Sequence, residues 1–508
     1  MAKTPVKFSI FNFQFSRKEI IILFLIIFVG AFLRLYRIGE YMTFLGDEGR
    51  DALIVRRFLV EGDLMLIGPG TSIGNMYLGP LYYYLIAPSL FLANYSPVGP
   101  SVFVALVGVA TVVLVWWVGK EWFGKWAGIF AAFLYSLSPT VIIYSKSSWN
   151  PNIMPFFALL VIYGMWMVWD RDDWKWLVVV GVSMAFVLQS HYLGLLLAPL
   201  IVVYWLAKLA KIQNSKLKIK NFLSYSLVGG LVFVFLMSPL VIFDARHGWR
   251  NFDAIKTFFI ERQTTVSARP WNAIPNAWPL MELVSTRLVA GRNEVLGRVV
   301  AVGLIGSVLF VIKKRLSSGY VMLFVWLGFA VLGLGLYKQH IYDHYFGFFF
   351  PAPFLLIGGV LGDLIGRVRI RGWWIAGTVI LALAYFSLAD SPVNYPPNRQ
   401  LQNTQATAEF IREKAGGEPF NLAVIAERNY EDAYQYFLEK WDTGIVEIDP
   451  LRADETITDQ LFVVCEMPKE KCDPTHSPKA EVANFGWTKI EEEWPVGGYA
   501  VYKLVHFE

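Results

Sequence analysis

Residues 17–63 read RKEIIILFLIIFVGAFLRLYRIGEYMTFLGDEGRDALIVRRFLVEGD. A basic pair, Arg17-Lys18, opens the stretch, and an apolar run from Ile20 follows it. The chain then turns acidic at Asp47-Glu48. An apolar run with basic residues before it is the pattern of a helix that leaves the basic side of a bilayer. No small-residue cleavage site follows the run, so it reads as a retained signal anchor. The acidic pair is then expected on the outer face, close to the membrane surface.

The same pattern recurs along the 508 residues. Segments 20–29, 102–118, 153–168, 177–188, 227–243, 299–312 and 321–336 are nearly free of charge. Hydrophobic residues make up 56% of the chain and charged residues 17%, with a mean hydropathy of +0.46. That leaves too little polar surface to keep a chain of this size dissolved. About 18 to 20 apolar residues cross the hydrocarbon layer as a helix, and unpaired peptide groups exclude irregular backbone there. The chain therefore reads as a mainly α, polytopic transmembrane protein.

Lysine and arginine in short loops mark the cytoplasmic side. Clusters at 17–18, 208–220, 313–315 and 367–371, with a weaker one at 120–125, all fall inside when the first run exits. Spans are expected at 20–38, once within 79–119, and near 126–143, 153–169, 175–190, 192–208, 224–243, 297–312, 319–336, 344–366 and 372–389. That makes about 11 crossings. The expected layout is a cytoplasmic N-terminus over 1–19 and a transmembrane domain over 20–390 with outer loops 39–78 and 244–296. A small extracytoplasmic α/β domain over 395–508 follows, all in the plasma membrane. Residues 79–94, GPLYYYLIAPSLFLAN, are apolar enough to cross, which would flip the later basic loops. Three tyrosines and two prolines favour an interfacial or re-entrant helix instead.

In the C-terminal portion, NLAVIAE (421–427) and QLFVVCE (460–466) read as buried strands. ATAEFIREKA (406–415) and YEDAYQYFLEKW (430–441) read as amphipathic helices. Cys465 and Cys472 are either two free thiols or a short disulfide, which needs an oxidising compartment. There is no metal-ligand spacing, phosphate-cradling glycine loop or nucleophile elbow in this portion.

Candidate chemistry gathers at the outer turns. Asp47-Glu48 read either as a helix N-terminal cap or as a general base beside a positioning or metal-binding acid. Arg50 and Arg57, seven apart, share a helical face; a cation there suits a lipid phosphate, and headgroup snorkelling is the alternative, favoured for Arg56-Arg57. Lys146 in YSKSSWNPN opposes the positive-inside bias and is a candidate phosphate ligand. Trp149 beside it offers a stacking face, and Asn150 and Asn152 sugar hydrogen bonds. His191-Tyr192 and the segment from His340 through Tyr342 to His344 sit at further outer turns, where polar groups tend to be functional. His340 and His344 on one helical face, with Glu48, are the possible metal ligands; no metal site is firm, and a divalent ion is the one possible cofactor. Asp244, Arg246 and His247 either line the same cavity or form a local ion pair.

An acidic pair in the first outer loop, then a basic residue, EGD (61–63) and GPLYYYLIAP (79–88) form a pattern with two further phrases. These are GKEWFGKWAGIFAAFLYSLSP (119–139) and SHYLGLLLAPL (190–200). The pattern resembles the GT-C superfamily of membrane glycosyltransferases, above all the protein O-mannosyltransferases and the lipid A aminoarabinose transferases. The resemblance implies inverting transfer of a sugar, mannose or pentose-like, from a polyprenyl-phosphate donor to an acceptor hydroxyl of a glycan, lipid or protein at the outer face. It also implies Asp47 as base and Arg50 at the lipid phosphate. Two positions depart from the aminoarabinose transferases. Tyr77-Leu78 stand where a Glu-Lys is expected, leaving Lys146 as substitute, and Asn152 stands where an acid is expected. Lipid A is therefore not implied as the acceptor.

A donor already activated on a lipid needs no nucleotide-binding fold, and none is legible, nor any sign of a nucleic-acid partner. Two other classes share parts of the pattern. A non-catalytic flippase or transporter of lipid-linked sugar would share the spans, but charges here cluster at one face and the halves show no repeat. A scaffold displaying the C-terminal domain leaves the outer-turn polar residues without a reason.

Overall fold

A computed structural model describes residues 17–71, 76–260, 265–267, 269–312 and 317–507. Seven of the described helices are long and apolar enough to cross a membrane, and the chain is a multi-pass membrane protein. They include Val98–Phe123, Lys216–Arg246, Ser318–Gly335, Pro351–Val368 and Ile370–Ala389. The basic first helix Arg17–Leu35 and the helix Glu294–Ile312 lie where spans are expected. The basic triplet at 313–315 lies outside the described residues.

The bundle core is aromatic and aliphatic, with Trp116, Trp166, Trp326, Phe346 and Phe354 buried in one cluster. Lys216–Arg246 is apolar nearly all round yet almost unburied, as a lipid-facing helix should be. The tyrosine segment forms a helix, Leu81–Leu92, of 12 residues. At about 1.5 Å per residue it is some 18 Å long, short of the hydrocarbon thickness. It packs against the acidic helix Gly46–Glu61 on one side and Val98–Phe123 on the other. Tyr82 and Tyr83 point inward and are buried.

The C-terminal portion holds a four-stranded sheet in the order β1-β2-β4-β3: β1 Asn421–Ile425, β2 Gln460–Cys465, β3 Thr488–Val496 and β4 Tyr499–His506. β1 and β2 are parallel, and β3 and β4 form an antiparallel hairpin on the edge of β2. Every residue of β1 and β2 is buried, which explains why both are legible as continuous apolar runs. The β3–β4 hairpin was not anticipated. Its signal is Gly497-Gly498, both at positive φ, the turn chemistry of a two-residue hairpin. Cys465 and Cys472 are disulfide-bonded.

This sheet does not fold apart from the first outer segment. Met42, Phe44, Ala52 and Leu53 are buried in one cluster with Leu401, Phe420, Tyr434 and Phe437. The acidic helix is therefore part of the core of the C-terminal domain. The helix Asp432–Lys440 lies along it, close enough that a Cβ on Gly49 would meet the Ala433 Cα at 2.3 Å.

Candidate functional site

The acidic helix starts at Gly46 and stops at Gly62, which takes the left-handed conformation (φ 84°) that favours glycine. Its first turn carries the chemistry. Asp47 Oδ1 accepts a hydrogen bond from Arg50 Nη1 at 2.8 Å and another from the Tyr430 hydroxyl. Among the described residues nothing donates to Oδ2. Arg50 also grips Asp51 Oδ1 through Nε at 3.1 Å and Nη2 at 2.7 Å, and its Nη1 donates to the Tyr430 hydroxyl at 3.1 Å. Asp51 is fully buried and takes a further bond from the Tyr83 hydroxyl at 3.2 Å.

Asp47 and Arg50 form one wall of a cavity of about 550 Å³. Pro69, Gly70 and Leu78, from the segment after the acidic helix, and Tyr144, Trp149, Asn150, His191, Tyr192, Tyr342, His344 and Tyr345 line it too. The rings brace one another. His191 stacks on Tyr192 with centroids 4.5 Å apart, and Trp149 meets His344 edge-on at 4.7 Å. Burial, reinforced by the His344 charge, pushes His191 down to about 3. Burial pushes His344 down to about 4, the Asp47 charge opposing it. Both imidazoles are therefore neutral at physiological pH, and His191 Nδ1 accepts the Leu193 N–H at 3.2 Å. An acid facing a wall of neutral aromatic rings is suited to a sugar, which offers apolar C–H faces to the rings and hydroxyls to the acid.

Of the residues expected here, Asp47, Arg50, His191, Tyr192, Tyr342 and His344 converge on this cavity. Others do not. Glu48 turns into the protein: its carboxyl is buried and accepts the Leu45 N–H at 3.1 Å, half of a capping box. Burial, then the neighbouring Asp47 charge, pushes it up to about 8, so it holds its proton at neutral pH, and it does not line the cavity that Asp47 lines. Lys146 is buried with its Nζ over the Tyr41 ring, 4.5 Å from the centroid, and without a hydrogen bond. The turn that aims Tyr144 and Trp149 into the cavity sends Lys146 behind it. Asn152 sits behind the wall too, its amide donating to the Ser147 carbonyl at 2.8 Å.

Arg246 is exposed and lines none of these cavities. Its neighbour Asp244 forms no ion pair with it and instead accepts the N–H groups of Asn251 and Phe252, capping the helix Arg250–Ile260. Arg57, read as a headgroup contact, donates to Glu439 and Glu447 of the C-terminal domain. His340 and His344 share no helical face, since 340–342 is irregular and only Asp343–Phe349 is a 3-10 turn. The Tyr342 ring contacts both imidazoles. Among the described residues no three His, Cys, Asp or Glu side chains gather as a metal would require.

A second cavity of about 650 Å³ adjoins the first through Tyr144 and Tyr342. Arg287, Lys338 and His340 supply its polar wall, with Leu280, Leu283 and Leu334 opposite. Arg287 pairs with Asp343 at 3.4 Å. Farther along the same helices, Met281, Val321, Phe324, Leu327 and Val331 line an almost wholly apolar groove of about 590 Å³. The second cavity and the groove are thus both lined in part by the helices Ile274–Val284 and Ser318–Gly335.

Tyr144, Tyr345, Arg287, Arg428 and Tyr430 were missed from the sequence. For the last two a signal existed: they occupy the loop after β1, and loops at the carboxyl ends of parallel strands commonly carry sites.

The architecture matches that of solved proteins. ArnT from Cupriavidus metallidurans, bound to undecaprenyl phosphate, aligns with a TM-score of 0.60 at 14% identity, over 96% of this chain and 98% of its own. This is the GT-C fold. The oligosaccharyltransferase AglB from Archaeoglobus fulgidus, in complex with an inhibitory peptide and a dolichol-phosphate, aligns with a TM-score of 0.54 at 13% identity, over 88% of this chain and 69% of its own. Within the GT-C fold, residues 78–243 match the family model described as dolichyl-phosphate-mannose-protein mannosyltransferase. No curated protein matches the chain in sequence.

Proposed function

We propose that the protein is a glycosyltransferase that moves a sugar from a polyprenyl-phosphate donor to an acceptor hydroxyl at the outer face, with inversion and with Asp47 as general base. One observation carries the reading. Asp47 has one carboxylate oxygen fixed by Arg50 and Tyr430, while the other is unengaged at the wall of an aromatic cavity. The acceptor oxygen attacks the anomeric carbon as Asp47 takes its proton. The bond from that carbon to the phosphate oxygen breaks, and the phosphate leaves with the electron pair. Cations must stabilise that departing charge. Arg287 and Lys338 in the adjoining cavity suit it, and the apolar groove beyond suits the polyprenyl chain.

The fold supports the donor class. The matched ArnT structure holds undecaprenyl phosphate and the matched AglB structure a dolichol-phosphate. The cytoplasmic N-terminus and external C-terminal domain follow from the basic clusters. The test is to supply purified protein with a polyprenyl-phosphate-linked sugar and a panel of glycan, lipid and peptide acceptors, and to assign the anomeric configuration of the product. Inversion is expected. Retention of configuration would rule out direct displacement by an acceptor activated on Asp47.

A further inference from the structure

We propose that residues 428–430 of the C-terminal domain belong to the reaction centre. Tyr430 is a positioning residue for Asp47, and Arg428 offers the cavity a guanidinium for an anionic oxygen of a substrate. The proposal rests on the glycosyltransferase reading above and extends it to a segment nearly 400 positions from the acid in sequence.

The geometry around Asp47 points to Tyr430. Its hydroxyl donates to Asp47 Oδ1 and accepts from Arg50 Nη1 at 3.1 Å, closing a three-membered ring of side chains. An aspartate held by one arginine can still swing about it; two donors on one oxygen leave only Oδ2 for the acceptor. The Tyr430 ring is itself wedged. It lies on Gly46, where a Cβ would come within 2.5 Å of the ring. Asn429 locks the loop, its Oδ1 accepting the N–H of Gly46 at 2.7 Å and of Tyr430 at 3.0 Å. Its Nδ2 donates to Glu466, just past the end of β2, at 2.6 Å.

Arg428 is the second observation. The cavity wall holds two arginines, Arg50 and Arg428. Arg50 is committed to Asp47, Asp51 and Tyr430. Arg428 is exposed and makes no hydrogen bond or ion pair among the described residues. An anionic oxygen entering this cavity, whether a donor phosphoryl oxygen or an acid group on the acceptor, finds Arg428 as the uncommitted cation.

Three variants of the full chain, Y430F, R428Q and D47N, test this by steady-state transfer, with kcat and KM measured for donor and acceptor separately and thermal melting as a control. Y430F is expected to lower kcat about tenfold, the loss of one hydrogen bond to a charged group, with both KM values unchanged. A packing defect would instead lower the melting temperature. R428Q is expected to raise KM about fivefold for the substrate that carries the anion, with kcat held and partial recovery in R428K. A rise for the donor assigns the phosphate, and a rise for the acceptor assigns an acidic acceptor. Should Y430F melt early, the exposed Arg428 still decides. Parental kinetics in Y430F and R428Q alongside an inactive D47N would overturn this inference and leave the base assignment standing. Parental transfer by D47N would overturn the assignment of Asp47 as base, and the absence of any transfer by the parent protein would overturn the function itself.

Discussion

At the scale of single residues, Asp47 and Glu48 are adjacent in sequence and opposite in environment. Asp47 meets the cavity through an unengaged oxygen, while Glu48 is buried and held protonated up to about pH 8. Adjacent acids on a helix face different directions, and only the fold decides which one meets solvent. The linkage sign follows from that burial. The native carboxyl holds a proton that the unfolded chain releases near pH 4.3, so its contribution to stability is full below that pH and is lost as pH rises through about 8. E48Q, neutral at every pH, should therefore flatten the decline in stability between about pH 4.3 and 8 and retain most transfer activity. Unfolding midpoints across that range check it. Loss of transfer comparable to that of D47N would place Glu48 in the chemistry after all. His191 and His344 drew notice as polar groups at turns between spans, and both line the cavity. Lys146 misled because charge placement says which side of a membrane a residue is on, and not which way its side chain turns.

At the scale of elements, the apolar runs gave the bundle and the continuous apolar strands gave half of the sheet. What was not legible is the docking of Gly46–Glu61 against Asp432–Lys440. Contacts between elements this far apart leave no period in the sequence. Arg57 shows the consequence: a cation on an exposed helix reads as a headgroup contact until Glu439 and Glu447 are found opposite. At Gly49 the backbone of the second helix leaves no room for a side chain. In G49A the new methyl would lie 2.3 Å from the Ala433 Cα and 2.4 Å from its N, backbone that moves only with its helix. Destabilisation of about 1–3 kcal/mol is expected, with transfer falling as Tyr430 is drawn from Asp47. Thermal unfolding and transfer rate measure the two effects together. A parental melting temperature would show that the helices are not packed this closely.

At the scale of the whole molecule, a membrane bundle and a four-stranded sheet both contribute to one cavity, and residues 42–53 join the core of the C-terminal domain. The shared core of Phe44, Leu53, Tyr434 and Phe437 makes the C-terminal domain a structural part of the segment that carries Asp47 and not a tethered appendage. It must then lie on the same side as Asp47. The disulfide Cys465–Cys472 suits an oxidising compartment. After mild reduction of intact cells, a membrane-impermeant maleimide should label Cys465 or Cys472 from outside. Labelling only after the membrane is opened would reverse the orientation.

The most direct measurement is transfer by D47N against the parent, from a polyprenyl-phosphate-linked sugar in membranes, with donor binding followed separately. General-base catalysis contributes about 10²- to 10⁴-fold. D47N is therefore expected to bind donor as the parent does and to transfer at about 1% of the parental rate or less. A folded D47N that binds donor and transfers at the parental rate would contradict the assignment of Asp47 as the base.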